Sequence, residues 1–221
     1  MLTLYKLFEL NHSQWVHCLS AIIVLGFIPS YTVSFSFVPV LYHVHAVTAF
    51  AWLAFVNVQA YSAQRNMFRF HRFFGYATLV AGLAFTISTV AVFLSRLNEK
   101  FDKPAIFHLV YWLDLFLIPM FIVLFTRVFL FRKAPLKHRD MVVSMMMVLL
   151  PPGLGRLIYT LFLHPFNFNV RYFYEPMLLL TLLIMYFYAK TFGWSRSIKY
   201  VFSLLVVASI TSYPAVYSGY F

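Results

Sequence analysis

Seven runs of mostly apolar residues, each about twenty long or longer, occupy nearly the whole chain. They cover 14–35, 38–62, 71–95, 105–131, 141–163, 174–192 and 201–220. A helix needs about 20 apolar residues to cross a bilayer, whereas a barrel strand needs only about 9–11 alternating ones. Runs of this length exclude a barrel. In lipid the backbone must satisfy its own hydrogen bonds, and helices do so within a single segment. The expectation is therefore an all-α polytopic membrane helical bundle of about seven transmembrane helices. It would have six if the last run, which carries Pro214 and Gly219, does not cross. Composition agrees: 62% of residues are hydrophobic and 10% charged, against about 25% charged in soluble domains. Mean hydropathy is +0.81.

The formal charge of +11 would point to nucleic acid in a soluble chain. In a membrane chain it marks cytoplasmic loops, which retain Lys and Arg. Arg65, Arg69 and Arg72 lie between runs two and three. Arg127, Arg132, Lys133, Lys137 and Arg139 lie between four and five, and Lys190, Arg196 and Lys199 between six and seven. The opposite loops hold Arg96, Lys100, Lys103 and Arg171, offset by Glu99, Asp102 and Glu175. This asymmetry predicts a cytoplasmic N-terminus and an external C-terminus, with nucleic acid not a partner. The first run, preceded by Lys6 and followed by no small-residue cleavage site, reads as an uncleaved span. Cys18 is the lone cysteine, so no intrachain disulfide forms. The chain reads as one integral membrane domain, 1–221, with a four-helix histidine-bearing core over 38–163.

Four histidines open four consecutive runs: His45, His71, His108 and His138. Alternate runs start on opposite faces of the membrane. His45 and His108 are thus expected near the outer face, and His71 and His138 near the inner face. Two of them sit in His-Arg pairs, His71-Arg72 and His138-Arg139. Paired neutral imidazoles from two helices are natural axial ligands for haem iron and also suit zinc or copper. Arginines Arg72, Arg139 and Arg156 are candidates to hold propionates. At about 100° per residue, His71, Gly75, Thr78, Gly82 and Thr89 share one helix face. Such a face admits a flat ring, and equally it packs another helix. Interfacial histidines bound only to water or headgroups are the plainer alternative, and His12, His17, His43 and His164 also lie near membrane edges.

Asp114 and Arg156 fall inside runs. A charge there costs at least about 2.5–3.5 kcal/mol, so pairing or function is expected. The structural expectation is an Asp114–Arg156 ion pair. The functional one is that Arg156 holds an anion and Asp114 moves protons. A further candidate gathers His43, His45, His108, Asp114, His164 and Glu175 into an outer cluster suited to zinc and hydrolysis. The run Met145, Met146, Met147 reads as flexible packing. The segment PPGLG at Pro151 is expected to break the fifth run.

The segments HAVTAFAWLAFVNVQ, RNMFRFHRFFG and HRDMVVSMMMVLLPPGLGRLI resemble a family of small bacterial multi-pass membrane proteins. Its pattern is a His and Trp in one span, then HRxxG, then HRxMxxS ending in Arg. The likeness spans roughly residues 42–159 and brings no assigned activity, but it implies the bacterial inner (plasma) membrane. More distantly, the arrangement is similar to the transmembrane di-haem cytochromes b, where alternate helices share each haem. That similarity implies His45 with His108 at one haem and His71 with His138 at the other. The gap from His45 to His71 is shorter than that family leads one to expect. Three functions stay open. The first is a haem b electron carrier, a membrane oxidoreductase linked to quinone or another small reductant. The second is a cofactor-free transporter or structural subunit of a membrane complex. The third is a zinc-dependent membrane hydrolase.

Overall fold

A computed structural model describes residues 10–97, 105–163, 165–166 and 174–217, of which 33, 105–110, 163 and 213–217 are described as backbone alone. The elements are α1 (His12–Ser34), α2 (Val40–Gln64), α3 (Phe68–Leu97), α4 (Ala105–Leu130), α5 (Pro135–Val148), α6 (Leu150–Ile158), a π-helical turn (Tyr159–Leu163), α7 (Tyr174–Phe192) and α8 (Arg196–Tyr217). No strand occurs among the described residues. Taken with its continuation into α6 and the π turn, α5 is one interrupted rod, so the described residues form seven rods. Among the described residues six are long and apolar enough to cross a membrane. The chain is a multi-pass helical membrane protein. The expected seventh run does form a helix of 22 residues. Ile198, Val201, Leu205 and Ala208 bury one side of it against the core.

Local sequence explains the ends. Asn11 caps α1: its side chain accepts from the Gln14 backbone at 3.0 Å, and Gln14 Oε1 accepts from the Asn11 backbone at 2.8 Å. This reciprocal pair satisfies two donors that a helix start leaves free. Pro135 opens α5, where its missing N–H costs nothing. The break in the fifth rod falls at Leu149, immediately ahead of Pro151 and Pro152, as expected from PPGLG. There the Leu149 N–H bonds Met146 O at 3.2 Å, a tightened turn in place of the helical ladder.

This broken rod is the centre of the bundle. Of its most apolar window 72% is buried, against 17–33% in the other five spans. Met145, Met146 and Met147 lie in the core, which bears out the packing role of the methionine run. Around them sit Trp52, Met177, Met185 and Tyr188. Beneath, α6 meets α1 backbone to backbone: a Cβ on Gly26 would collide with the Gly153 carbonyl. Close approach through small residues is how helices gain contact in lipid, where no hydrophobic difference drives them together.

Candidate functional site

The alternating helices bring chemistry to two ends of the bundle. One end holds the starts of α3 and α5. The other holds the end of α1, the start of α2, the end of α3 and the end of the fifth rod.

At the first end, the His71 and His138 rings lie close together in a perpendicular arrangement. Their centres are 6.4 Å apart and their planes lie 82° from parallel. Each ring is held from behind. His71 Nδ1–H donates to Gln59 O at 3.2 Å, with Ser62 Oγ at 3.3 Å. His138 Nδ1–H donates to Val128 O at 2.9 Å. A carbonyl only accepts, so both protons are fixed on Nδ1 and both Nε2 lone pairs are free for other partners. A helix break positions each of these carbonyls. α2 ends at Gln64, which lets α3 fold back with His71 beside Gln59. α4 ends at Leu130, which sets His138 beside Val128.

The space beside this pair is uneven. A Cβ on Gly75, one turn beyond His71, would meet only Gln59 Oε1, at 3.9 Å. Gln59 Nε2 is buried without a hydrogen-bond partner. Further along the same face, a Cβ on Gly82 would strike the Phe125 ring and touch Trp52 at 3.0 Å. The small-residue stripe is therefore two things: packing at Gly82 and open room at Gly75. Of the expected cations, Arg72 is exposed and its Nε donates to Phe68 O at 3.3 Å. Arg139 pairs with Asp140 at 3.7 Å.

The other end contains a cavity of about 420 Å³ between α1, α2, α3, α4 and the fifth rod. His45, Arg96, Asp114 and Arg156 all line it. Here the expected ion pair is corrected. Asp114 bonds Arg96, Nη1 to Oδ2 at 3.1 Å, and not Arg156. The reason is the length of α3. The apolar run ends at residue 95, but α3 continues to Leu97 and carries the Arg96 guanidinium inward, to 24% side-chain exposure. Arg156 instead stacks on Phe27, with Cζ 4.2 Å from the ring centre, and its Nη1 donates to Pro152 O at 3.3 Å. No apolar run continues past Ser95 to signal that α3 carries Arg96 inward.

His45 stacks over Phe85 with ring centres 5.4 Å apart, and its Nδ1 lies 3.3 Å from Ser88 Oγ and 3.5 Å from Thr89 Oγ1. The side chain of His108 lies outside the described residues, as does His164. The outer cluster is thus represented by His43, His45, Asp114 and Glu175, of which His45 and Asp114 share the cavity while His43 and Glu175 lie elsewhere. His43 Nδ1 meets the Tyr31 hydroxyl at 2.7 Å, and Glu175 is exposed at the start of α7. Among the described residues no group of three or more His, Cys, Asp or Glu side chains comes together for a metal ion. His17 is structural: with Ser13, Ser20 and Asn57 it forms a polar bridge between α1 and α2.

No family model, curated protein or solved structure matches this chain. The class the fold and the two ends define is that of an all-helical, multi-pass membrane protein.

Proposed function

We propose that this protein is a b-type haem electron carrier of the bacterial inner membrane, with haem b held between His71 and His138. The observation that carries the reading is the close pair. The two ring centres are 6.4 Å apart, close enough for one metal ion to reach a nitrogen of each ring. The two Nδ1–H···O=C bonds support it, since a histidine that binds metal donates its other N–H to a fixed acceptor. The room at Gly75 and the unpartnered Gln59 amide beside it suit a flat ring with polar edges. Arg72 would neutralise a propionate near the surface. When bound, haem supplies one-electron transfer between ferric and ferrous iron. The chain's own residues orient the two imidazoles and hold their protons on Nδ1. The electron partner in this reading is a quinone or another small reductant. The basic loops support a cytoplasmic location for this end.

An absorption spectrum of detergent-purified protein, expressed with ample haem and recorded oxidised and dithionite-reduced, tests the reading. A Soret band with sharp reduced α and β bands is expected, and His71→Ala and His138→Ala should each remove it. Retained absorbance in both variants sinks the assignment. A colourless, folded protein would favour the cofactor-free reading, a transporter, which draws on the cavity at the opposite end.

A further inference from the structure

We infer that the cavity at the Arg96–Asp114–Arg156 end binds a single-tailed amphiphile with an anionic head, and that Arg156 is the residue that grips the head. This inference stands independently of the haem reading.

The charges come first. The cavity wall carries two guanidinium groups and one carboxylate. Asp114 is already bonded to Arg96 at 3.1 Å, so among the described residues that line the cavity one positive charge is left over. That charge is Arg156. A guanidinium has five N–H donors. Among the described residues Arg156 uses them for one hydrogen bond, Nη1 to Pro152 O. Its planar face is spent on Phe27, which holds the group in a fixed orientation. An unneutralised cation within a span costs about 2.5–3.5 kcal/mol. A carboxylate or phosphate seated on it removes that cost and takes two parallel N–H bonds.

The shape comes second. Beyond the charged level the cavity is walled by apolar side chains, with Ile23, Trp52, Leu117 and Phe121 among them. From Arg156 back along the fifth rod its lining reaches Val148, about 12 Å at 1.5 Å per residue. Its volume lies toward the lower end of the range for small-molecule pockets, about 300–1,000 Å³. That suits one chain and not a two-tailed lipid. A fixed cation near the end of the bundle, above a long apolar shaft, matches a molecule with a charged head and one tail. Head chemistry is either carboxylate or phosphate, and the test separates them.

The full chain in lipid nanodiscs, with empty nanodiscs as the partition control, would be titrated with radiolabelled dodecanoate, dodecyl phosphate and dodecanol. Dodecanoate or dodecyl phosphate should bind at least tenfold more tightly than dodecanol, and the tighter of the two identifies the head. Arg156→Gln should erase that preference while leaving dodecanol unchanged, and Arg156→Lys should keep part of it. Ala49→Phe retains every charge but fills the shaft from α2, and should abolish binding of all three. It also serves if Arg156→Gln does not fold. Equal binding of dodecanoate, dodecyl phosphate and dodecanol overturns the inference. So does anion binding that survives both Arg156→Gln and Ala49→Phe, or a second haem that is lost in His45→Ala.

Discussion

The two ends of the bundle solve the problem of polar groups in lipid in opposite ways. At the histidine end, the polar side chains are imidazole rings tied to backbone carbonyls near the ends of α2 and α4. His71 takes Gln59 O and His138 takes Val128 O. At the cavity end, full charges are brought inside, and Arg96 with Asp114 offsets part of the cost by pairing. The first arrangement is inexpensive to disturb and specific in what it presents. The second is costly to disturb, because removing one partner strands another charge. Stability and ligand chemistry should therefore separate cleanly between the ends.

The largest effect is expected at Asp114. Asp114→Ala leaves Arg96 and Arg156 facing one cavity with no anion between them. A loss of about 3 kcal/mol is expected, read from chemical unfolding in detergent. Arg96→Gln should cost less than Asp114→Ala, because Arg156 remains near enough to act on the carboxylate. If the two variants lose equal stability, Arg156 does not act as a reserve partner and the contrast weakens.

Next in size is a pair of glycines on one face of α3. Gly82→Ala pushes a methyl group into Phe125, an overpacking cost of about 1–3 kcal/mol. Gly75→Ala meets open room, and should be neutral or stabilising by up to about 1 kcal/mol, the usual gain of Ala over Gly in a helix. Gly75→Leu is the sharper variant. It should fold as well as the wild type yet lose the Soret band, since it fills the space beside His71. Unchanged haem content in Gly75→Leu would mean that the room at Gly75 has no ligand role.

The smallest expected effect is at Ser62. Its hydroxyl lies 3.3 Å from His71 Nδ1, while Gln59 O already accepts that proton at 3.2 Å. Ser62→Ala should cost under about 1 kcal/mol and leave the haem spectrum in place. A lost spectrum would show that the hydroxyl, and not the carbonyl, sets the ring.

Much of the architecture was legible in the residues themselves. Hydrophobic length is a local property, so spans one to six could be read off with ends within a few residues. The break before Pro151 follows from covalent geometry alone, because proline has no N–H to give. The placing of His71 and His138 at one end followed from counting alternate crossings. The pairing of Asp114 was not legible, and for a physical reason. Which cation meets it depends on where α3 stops and how each helix is rotated, and neither is encoded near residue 114.

The sequence by itself therefore determined a multi-pass helical bundle with histidines at the thresholds of its spans and basic residues gathered in alternate loops. Only the tertiary structure decided that the two imidazoles come within 6.4 Å of each other, that Arg96 and not Arg156 takes Asp114, and that a cavity opens around the remaining arginine. Hydropathy selects which segments enter the bilayer one at a time. Proximity, pairing and empty space belong to several helices at once, and arise when their rotations and ends are set against one another.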